Sequence, residues 1–381
     1  MATEKFNSRQ THEKLLLELI LKEKQISRAD LAKKSQLNKA TVSTIIKELL
    51  EKELILEIGT GTSSGGRRPV LLTFNSKAGL ALSLNIGYNY IHSALAFLNG
   101  EIISRQKTSE LIDKNSIISL IKQHIYFHTN DIPNTSYHII GATIAIHGIV
   151  YNQTIQFTPY YSLADVHLKE KLETEFSFPI FLENEANLSA LGEKTFSTKA
   201  ENLVSITIGT GIGAGVIINH QLYTGKNGYC GEIGHTIVVP NGQSCPCGND
   251  GCLEQYASEK NLLDEFRKHI QNAEASFDEF INACKRHEPV AQKLIDKFVT
   301  FFSYGLNNII HSYNPDVVIV NSRLTKELPE IMERLKQQFS NPIIQQSNFL
   351  PSNLHQEAIL LGGFFVAVSN FLSIDHFDFI T

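Results

Sequence analysis

No stretch of this 381-residue chain approaches about eighteen uninterrupted apolar residues, which excludes a membrane-spanning helix. The early run "LLLELILKEK" carries Glu18 inside it and lysines after it, and no small-residue cleavage pattern follows. It reads as an amphipathic helix rather than a secretory leader. Cysteine is scarce as well. There are five, and three of them, Cys245, Cys247 and Cys252, crowd into eight residues. That is not the even framework of a small secreted domain; it points to a metal site in a reducing cytoplasm. Strong charge of one sign is also missing, since 34 Lys and Arg face 39 Asp and Glu for a net charge of -5. The balance is uneven along the chain, because residues 1–68 hold thirteen basic against nine acidic groups. A mildly basic head on an acidic body fits nucleic-acid contact through the head alone.

What is present begins with a periodic head. Leu15, Leu16, Leu19 and Ile20 fall on one face of a helix spanning about 11–24. Ser27 opens a second helix with Asp30 three residues on, and after "QLN" Asn38 caps a third, "KATVSTIIKELLEKE". The apolar face of the third helix is Val42, Ile45, Ile46, Leu49 and Leu50. Its opposite side presents Lys39, Thr41, Ser43, Thr44 and, one turn later, Lys47, which are groups suited to base edges and phosphates in a major groove. The strands "LILEIG" and "VLLTFN" then flank "TGTSSGGRRP", a hairpin whose tip carries Arg67 and Arg68. Arginines on such a tip reach phosphates or a narrow minor groove. A helical hairpin used for dimerisation shares the periodicity, and an arginine pair alone suits a solvated turn. Their order together reads as a winged helix-turn-helix over residues 1–75.

From about residue 76 strands and helices mix, giving an α/β body. Strand-like runs occur at 80–86, 91–98, 101–105, 139–146, 203–208, 214–219 and 316–320, and helical patterns at 113–128, 186–196, 258–271, 289–310 and 324–338. Two similar halves, each opening with a hairpin, suggest two lobes around a cleft. The sharpest chemistry lies in "GEIGHTIVVPNGQSCPCGNDGCLEQYAS". One imidazole and three thiolates, from His235, Cys245, Cys247 and Cys252, form a closed tetrahedral set suited to structural zinc, with Gly248 and Gly251 allowing the sharp turns. Buried or redox cysteines are the alternative.

The segments "GEIGH" and "CPCGNDGCLE", with "ENEANLSALGE" and "TIGTGIGAGVI", resemble the ROK family of repressors, open reading frames and sugar kinases. With its head, the chain is similar to the repressor branch, and most of all to members that answer to xylose. The resemblance covers nearly the whole length and implies an actin-like, ribonuclease-H-like two-lobed body. Lobe 1 would take about 76–183 plus a C-terminal helix at about 363–381, and lobe 2 about 184–362. It also implies sugar contacts from Asn184, Glu185, Glu232, His235 and Glu254, with Gly148 permitting close backbone approach. His235 would touch sugar with one ring nitrogen and zinc with the other. His147, where the family often has proline, reads as a structural histidine or as a shaper of the pocket.

The family's kinases carry Asp-x-Gly-Gly-Thr in the first hairpin, where this chain has Asn85, Ile86, Gly87, Tyr88 and Asn89. The kinase base, an aspartate, is Glu185 here. Metal binding, phosphate approach and in-line proton transfer are all compromised by such changes. The resemblance therefore implies a repressor released from a palindromic operator by a monosaccharide, D-xylose by preference, acting as a homodimer or tetramer. The alternative is an ATP-dependent sugar kinase with an accessory DNA-binding head.

Overall fold

The computed structural model describes residues 2–60, 68–159 and 163–379. The head holds helices α1 (Ala2–Glu23), α2 (Arg28–Ser35) and α3 (Lys39–Glu51) with strands β1 (Ile26–Ser27), β2 (Ile55–Thr60) and β3 (Val70–Phe74). The strands form one sheet in the order β1-β3-β2, so the second and third strands make a wing beside α3. Ser27 Oγ accepts from Asp30 N, and Asn38 Oδ1 from Thr41 N, so both expected caps satisfy orphan helix donors. Such a cap contributes about 1 kcal/mol. The face of α1 differs from expectation. Leu16, Leu17, Ile20 and Leu21 are buried, while Leu15 and Leu19 are only half-buried. Packing against α2 and β3 rotates the buried stripe by about one residue relative to the periodic pattern.

The first sheet of the body holds β4 (Leu80–Gly87), β5 (Tyr90–Phe97), β6 (Ile102–Thr108), β7 (Ile139–Ile146) and, beyond the small hairpin of β8 (Ile149–Tyr151) and β9 (Thr154–Phe157), β10 (Ile180–Asn184). Its order is β10-β7-β4-β5-β6, an antiparallel meander extended by two parallel strands. Helices α4 (Ile117–Thr129) and α5 (Leu168–Glu173) cover its outer face, and α6 (Glu185–Phe196) follows β10. The second sheet repeats the plan: β11 (Leu203–Ile208), β12 (Ile212–Ile218), β13 (Gln221–Leu222), β14 (Val317–Ser322) and β15 (Phe349–Pro351) run in the order β13-β12-β11-β14-β15. Between β13 and β14 come α7 (Glu254–Ala257), α8 (Glu259–Ile270), α9 (Phe277–Lys285) and α10 (Pro289–Tyr313). After β14 come α11 (Arg323–Glu327), α12 (Glu330–Gln337) and α13 (Pro342–Gln345), and after β15 the final helix α14 (Glu357–Leu372). The expected single helix at 324–338 is two helices, because Pro329 follows Leu328, whose backbone (φ -132°, ψ 72°) leaves the helical region.

The two equivalent helices cross between the sheets. Helix α6 packs on β11 and β12 of the second sheet, and α14 on β4 and β7 of the first. Their crossing is a backbone contact: a Cβ on Gly192 would lie 2.0 Å from Ala358 O, and one on Gly362 only 1.8 Å from Leu188 O. The head rests on the same layer. Leu16, Ile20, Ile46 and Leu72 share one apolar core with Phe364, Phe365 and Phe377. Lys14 Nζ bonds Asp375 Oδ2 at 2.5 Å, Tyr137 Oη donates to Lys52 O at 2.8 Å, and the rings of Phe74 and Phe379 lie 6.5 Å apart. Among the described residues no helix is long and apolar enough to cross a membrane.

Candidate functional site

After β13 the chain forms a loop that turns tightly around four metal-ligating groups. One ligand atom each from His235, Cys245, Cys247 and Cys252 lies within 4.8 Å of the others. His235 Nδ1 is 3.5 Å from Cys245 Sγ, and Cys247 Sγ is 3.6 Å from Cys252 Sγ. A tetrahedral zinc with thiolate bonds near 2.3 Å needs sulfurs about 3.8 Å apart, so the donor set fits that ion with little adjustment. Glycine makes the turn possible. Gly248 (φ +96°) and Gly251 (φ +87°) are both left-handed, and a Cβ on Gly251 would collide with Val239 O at 1.7 Å. Burial pushes the Cys245 thiol up to about 12, a penalty that a bound dication would reverse.

The same loop aims carboxylates into the space between the sheets. His235 Nε2 faces Glu232 Oε2 at 3.7 Å, so its two ring nitrogens point to different neighbours, one toward the thiols and one toward the cleft. Glu254 follows Cys252 by two residues and accepts from Cys245 Sγ at 3.4 Å and from Gln255 Nε2 at 3.3 Å. Burial, reinforced by the Glu254 charge and opposed by His235 and His147, holds the Glu232 carboxyl above its ordinary range.

From the first sheet come Gly148, Asn184 and Glu185. Gly148 (φ +149°) lies where a Cβ would meet Phe157 O at 2.2 Å, so its bareness serves the β8–β9 hairpin. Asn184 caps α6: Oδ1 accepts from Ala186 N at 2.7 Å and Asn187 N at 3.1 Å, while Nδ2 donates to Gly148 O at 2.7 Å. Most of its hydrogen-bonding capacity is thus committed to joining the helix start to the loop after β7. Glu185 Oε1 lies 2.5 Å from His147 Nδ1. Burial acts to lower the His147 pKa, but the charge and hydrogen bond of Glu185, with Glu254 and Glu232 beyond it, outweigh burial and raise it. The structure therefore brings Glu185, Glu232, His235 and Glu254 around one cleft, with His147 among them.

The two hairpin turns differ in what stands beside their glycines. Tyr88 points outward and is exposed. It is Tyr90 that covers the turn, since a Cβ on Gly87 would sit 2.0 Å from the Tyr90 ring, and Lys107 Nζ stands 5.0 Å over the same ring. Asn85 is buried with its Oδ1 unpartnered in the structure. In the second hairpin, Gly213 and Gly215 admit helix α6: their Cβ positions lie 3.2 Å from Ala186 Cβ and 2.4 Å from Ala190 Cβ. Gly209 opens on free space, but Gly211 faces Glu254 Oε2 at 3.1 Å, an anion that opposes phosphate approach.

In the head, Lys39, Ser43, Thr44 and Lys47 are exposed on α3 opposite the buried Val42, Ile45, Ile46 and Leu49, while Thr41 is half-buried behind the Asn38 cap. Lys47 stands 3.6 Å from Glu51 in a well-exposed pair that leaves it available to a phosphate. Arg68 is exposed at the foot of β3, and Arg67 lies outside the described residues. The signals missed in the sequence were the covering ring of Tyr90, which the "GYNY" spacing carries, and the pairing of His147 with Glu185.

Residues 81–369 match the ROK family, and residues 12–56 match the MarR family. The chain is 37% identical over 380 residues to the xylose repressor of Bacillus subtilis (strain 168), covering 96% of this chain and 97% of that one. A crystallised ROK family transcriptional regulator, described as a homolog of the Escherichia coli MLC protein, superposes with a TM-score of 0.79 at 24% identity over 96% and 97% of the two chains. A ROK family glucokinase from Streptomyces griseus, solved with glucose and AMPPNP, superposes with a TM-score of 0.68 at 25% identity, covering 76% of this chain and 99% of the enzyme. The enzyme thus aligns with a length matching the body alone, whereas the regulator spans head and body, and this chain belongs to the ROK family.

Proposed function

We propose that this protein is a sugar-responsive transcriptional repressor whose effector is D-xylose. One observation carries the reading: the chain keeps a cleft of carboxylate and imidazole groups suited to a polyol, while Tyr90 covers the only glycine left in its first phosphate turn. Glu185, Glu232, Glu254 and His235 Nε2 accept or donate to several adjacent hydroxyls, the chemistry by which sugars are recognised. Gly148 and Asn184 act one step back, fixing the loop and helix start that present Glu185. His235, Cys245, Cys247 and Cys252 would hold a zinc ion, which when bound would fix the loop that aims Glu232 and Glu254.

Residues 1–75 form the DNA-binding unit, with Lys39, Thr41, Ser43, Thr44 and Lys47 entering the major groove and Arg67 and Arg68 at the wing. Residues 76–381 form the sensing unit, divided into a lobe of about 76–183 with the C-terminal helix and a lobe of about 184–362. Two such chains form a cytoplasmic homodimer whose symmetry matches a palindromic operator. Sugar must bind more tightly to the state that does not hold DNA, because only a differential affinity shifts the equilibrium. Glu232→Ala tests the site. Operator affinity is expected to stay within about twofold, with the response to D-xylose lost; normal release by xylose in this variant would remove Glu232 from the effector site.

A further inference from the structure

One side chain closes the end of the cleft nearest the Gly209–Gly213 hairpin. His147 follows β7 of the first sheet, and its Nδ1 lies 2.5 Å from Glu185 Oε1 at the start of α6. The same ring reaches the second sheet, where its Cε1 lies 4.0 Å from the point a Cβ on Gly211 would occupy. Glu254 Oε2 stands 3.1 Å from that point. The imidazole therefore bridges the gap between the two sheets, with the Glu185 carboxylate on one side and that of Glu254 on the other. Its side chain is 19% exposed and that of Glu185 17%, so the pair is well shielded from water and holds the ring more firmly than a surface pair would. Gly211 faces the ring with no side chain of its own, so the volume beside it is shared by His147 and the Glu254 carboxylate alone.

Pentopyranoses and hexopyranoses share their ring hydroxyls and differ by an exocyclic hydroxymethyl group. Carboxylates that pair with ring hydroxyls cannot tell them apart; discrimination needs a group standing where the extra substituent must go. We propose that His147 is a specificity-determining residue, its ring filling the cleft between Glu185 and Gly211 so that the site accepts a pentopyranose and rejects a hexopyranose. Glu185 is its positioning residue, because turning the ring aside to admit a hydroxymethyl group breaks the ion pair. This inference rests on the sugar-site reading above. It differs from a structural role in requiring that bulk at position 147, rather than fold stability, sets the preference.

The test is calorimetric titration of the full-length protein with D-xylose and with D-glucose. Wild-type protein is expected to prefer xylose by at least about tenfold, the scale on which one small group discriminates in a fitted pocket. His147→Ala should shrink that ratio about tenfold through a gain in glucose affinity. His147→Gln, which keeps bulk and a hydrogen-bonding end, should preserve most of it. An unchanged ratio in His147→Ala overturns the proposal. Should that variant fail to fold, His147→Ser reads the same ratio by removing the bulk while keeping a polar group, and an unchanged ratio there overturns it equally. Wild-type protein that binds xylose with a ratio insensitive to these changes removes only the role of His147. Wild-type protein that binds neither sugar removes this proposal together with the sugar site beneath it.

Discussion

Replacing Gly362 with alanine would place a methyl carbon 1.8 Å from Leu188 O, 2.6 Å from Leu188 C and 2.9 Å from Leu188 Cα. All three are backbone atoms of α6, so no rotamer change relieves the clash. To reach an ordinary contact of about 3.4 Å, α14 and α6 must separate by roughly 1.5 Å, and core overpacking of this kind costs about 1–3 kcal/mol. Against this, alanine gains about 1 kcal/mol over glycine inside a helix. Because the obstruction is rigid, the cost belongs at or above the upper end of its range, leaving a net loss of about 2 kcal/mol. For a body of this size that is a fall in melting temperature of about 3 °C. The crossing also sets the position of the α6 start, where Asn184 and Glu185 lie, so D-xylose should stabilise the variant less than the wild type in the same thermal scan. Gly192→Ala strikes the same gap from the other side, at 2.0 Å from Ala358 O, and should behave alike, with the double variant less than additive. A melting temperature equal to or above that of the wild type would refute the reasoning, for it would mean that helix propensity outweighs a contact said to be backbone on backbone.

Further outcomes follow from other parts of the structure. His124 and His128 are buried and share Ser93 Oγ at 2.7 and 2.8 Å, and burial, then a neighbouring histidine, lowers each to about 4 from 6.5. They stay neutral in the fold while the unfolded chain takes up protons, so stability is lost as pH falls from about 6.5 toward 4, by on the order of 3 kcal/mol for the first proton; urea unfolding at pH 7 and pH 5 should show the fall, and His128→Gln should flatten it. Arg67→Ala with Arg68→Ala should weaken operator binding and reduce its salt slope by about one unit per lost phosphate contact, read by titration at several salt concentrations. Cys252→Ser should abolish one equivalent of protein-bound zinc by elemental analysis and lower the melting temperature, while Cys284→Ser, on α9 and outside the cluster, should leave the zinc in place.

Much of this architecture could be read from residues, and what could not has identifiable causes. Ser27 and Asn38 were legible as caps because a cap acts at a fixed spacing from the amide it satisfies. The His235 and cysteine cluster was legible for a similar reason, since ligands so close in sequence need only tight turns to converge. The glycines were harder. Gly209 and Gly211 make a turn while Gly213 and Gly215 seat a helix, yet all four look alike in sequence because the residue reports only that room is needed. Tyr90 rather than Tyr88 covers Gly87 because the hairpin places Tyr90 directly opposite Gly87, a register invisible before the strands pair. Asn184 matched a sugar-binding pattern, but a side chain that caps a helix and also holds a neighbouring carbonyl has most of its hydrogen bonds already made. The strand Ile180–Asn184 escaped notice because it is five residues long and ends in Glu and Asn. The break before Pro329 was available in the sequence and was outweighed there by the apolar periodicity on either side.

One titration shows whether sugar in the body controls DNA in the head without being phosphorylated. Full-length protein bound to its operator is challenged with D-xylose in the presence of ATP and magnesium, and operator occupancy and ADP are followed together. Xylose is expected to lower operator affinity at least about tenfold, a coupling of about 1.4 kcal/mol or more, with no sugar-dependent ADP. Operator affinity unmoved by xylose, or ADP produced in proportion to added sugar, would contradict that expectation.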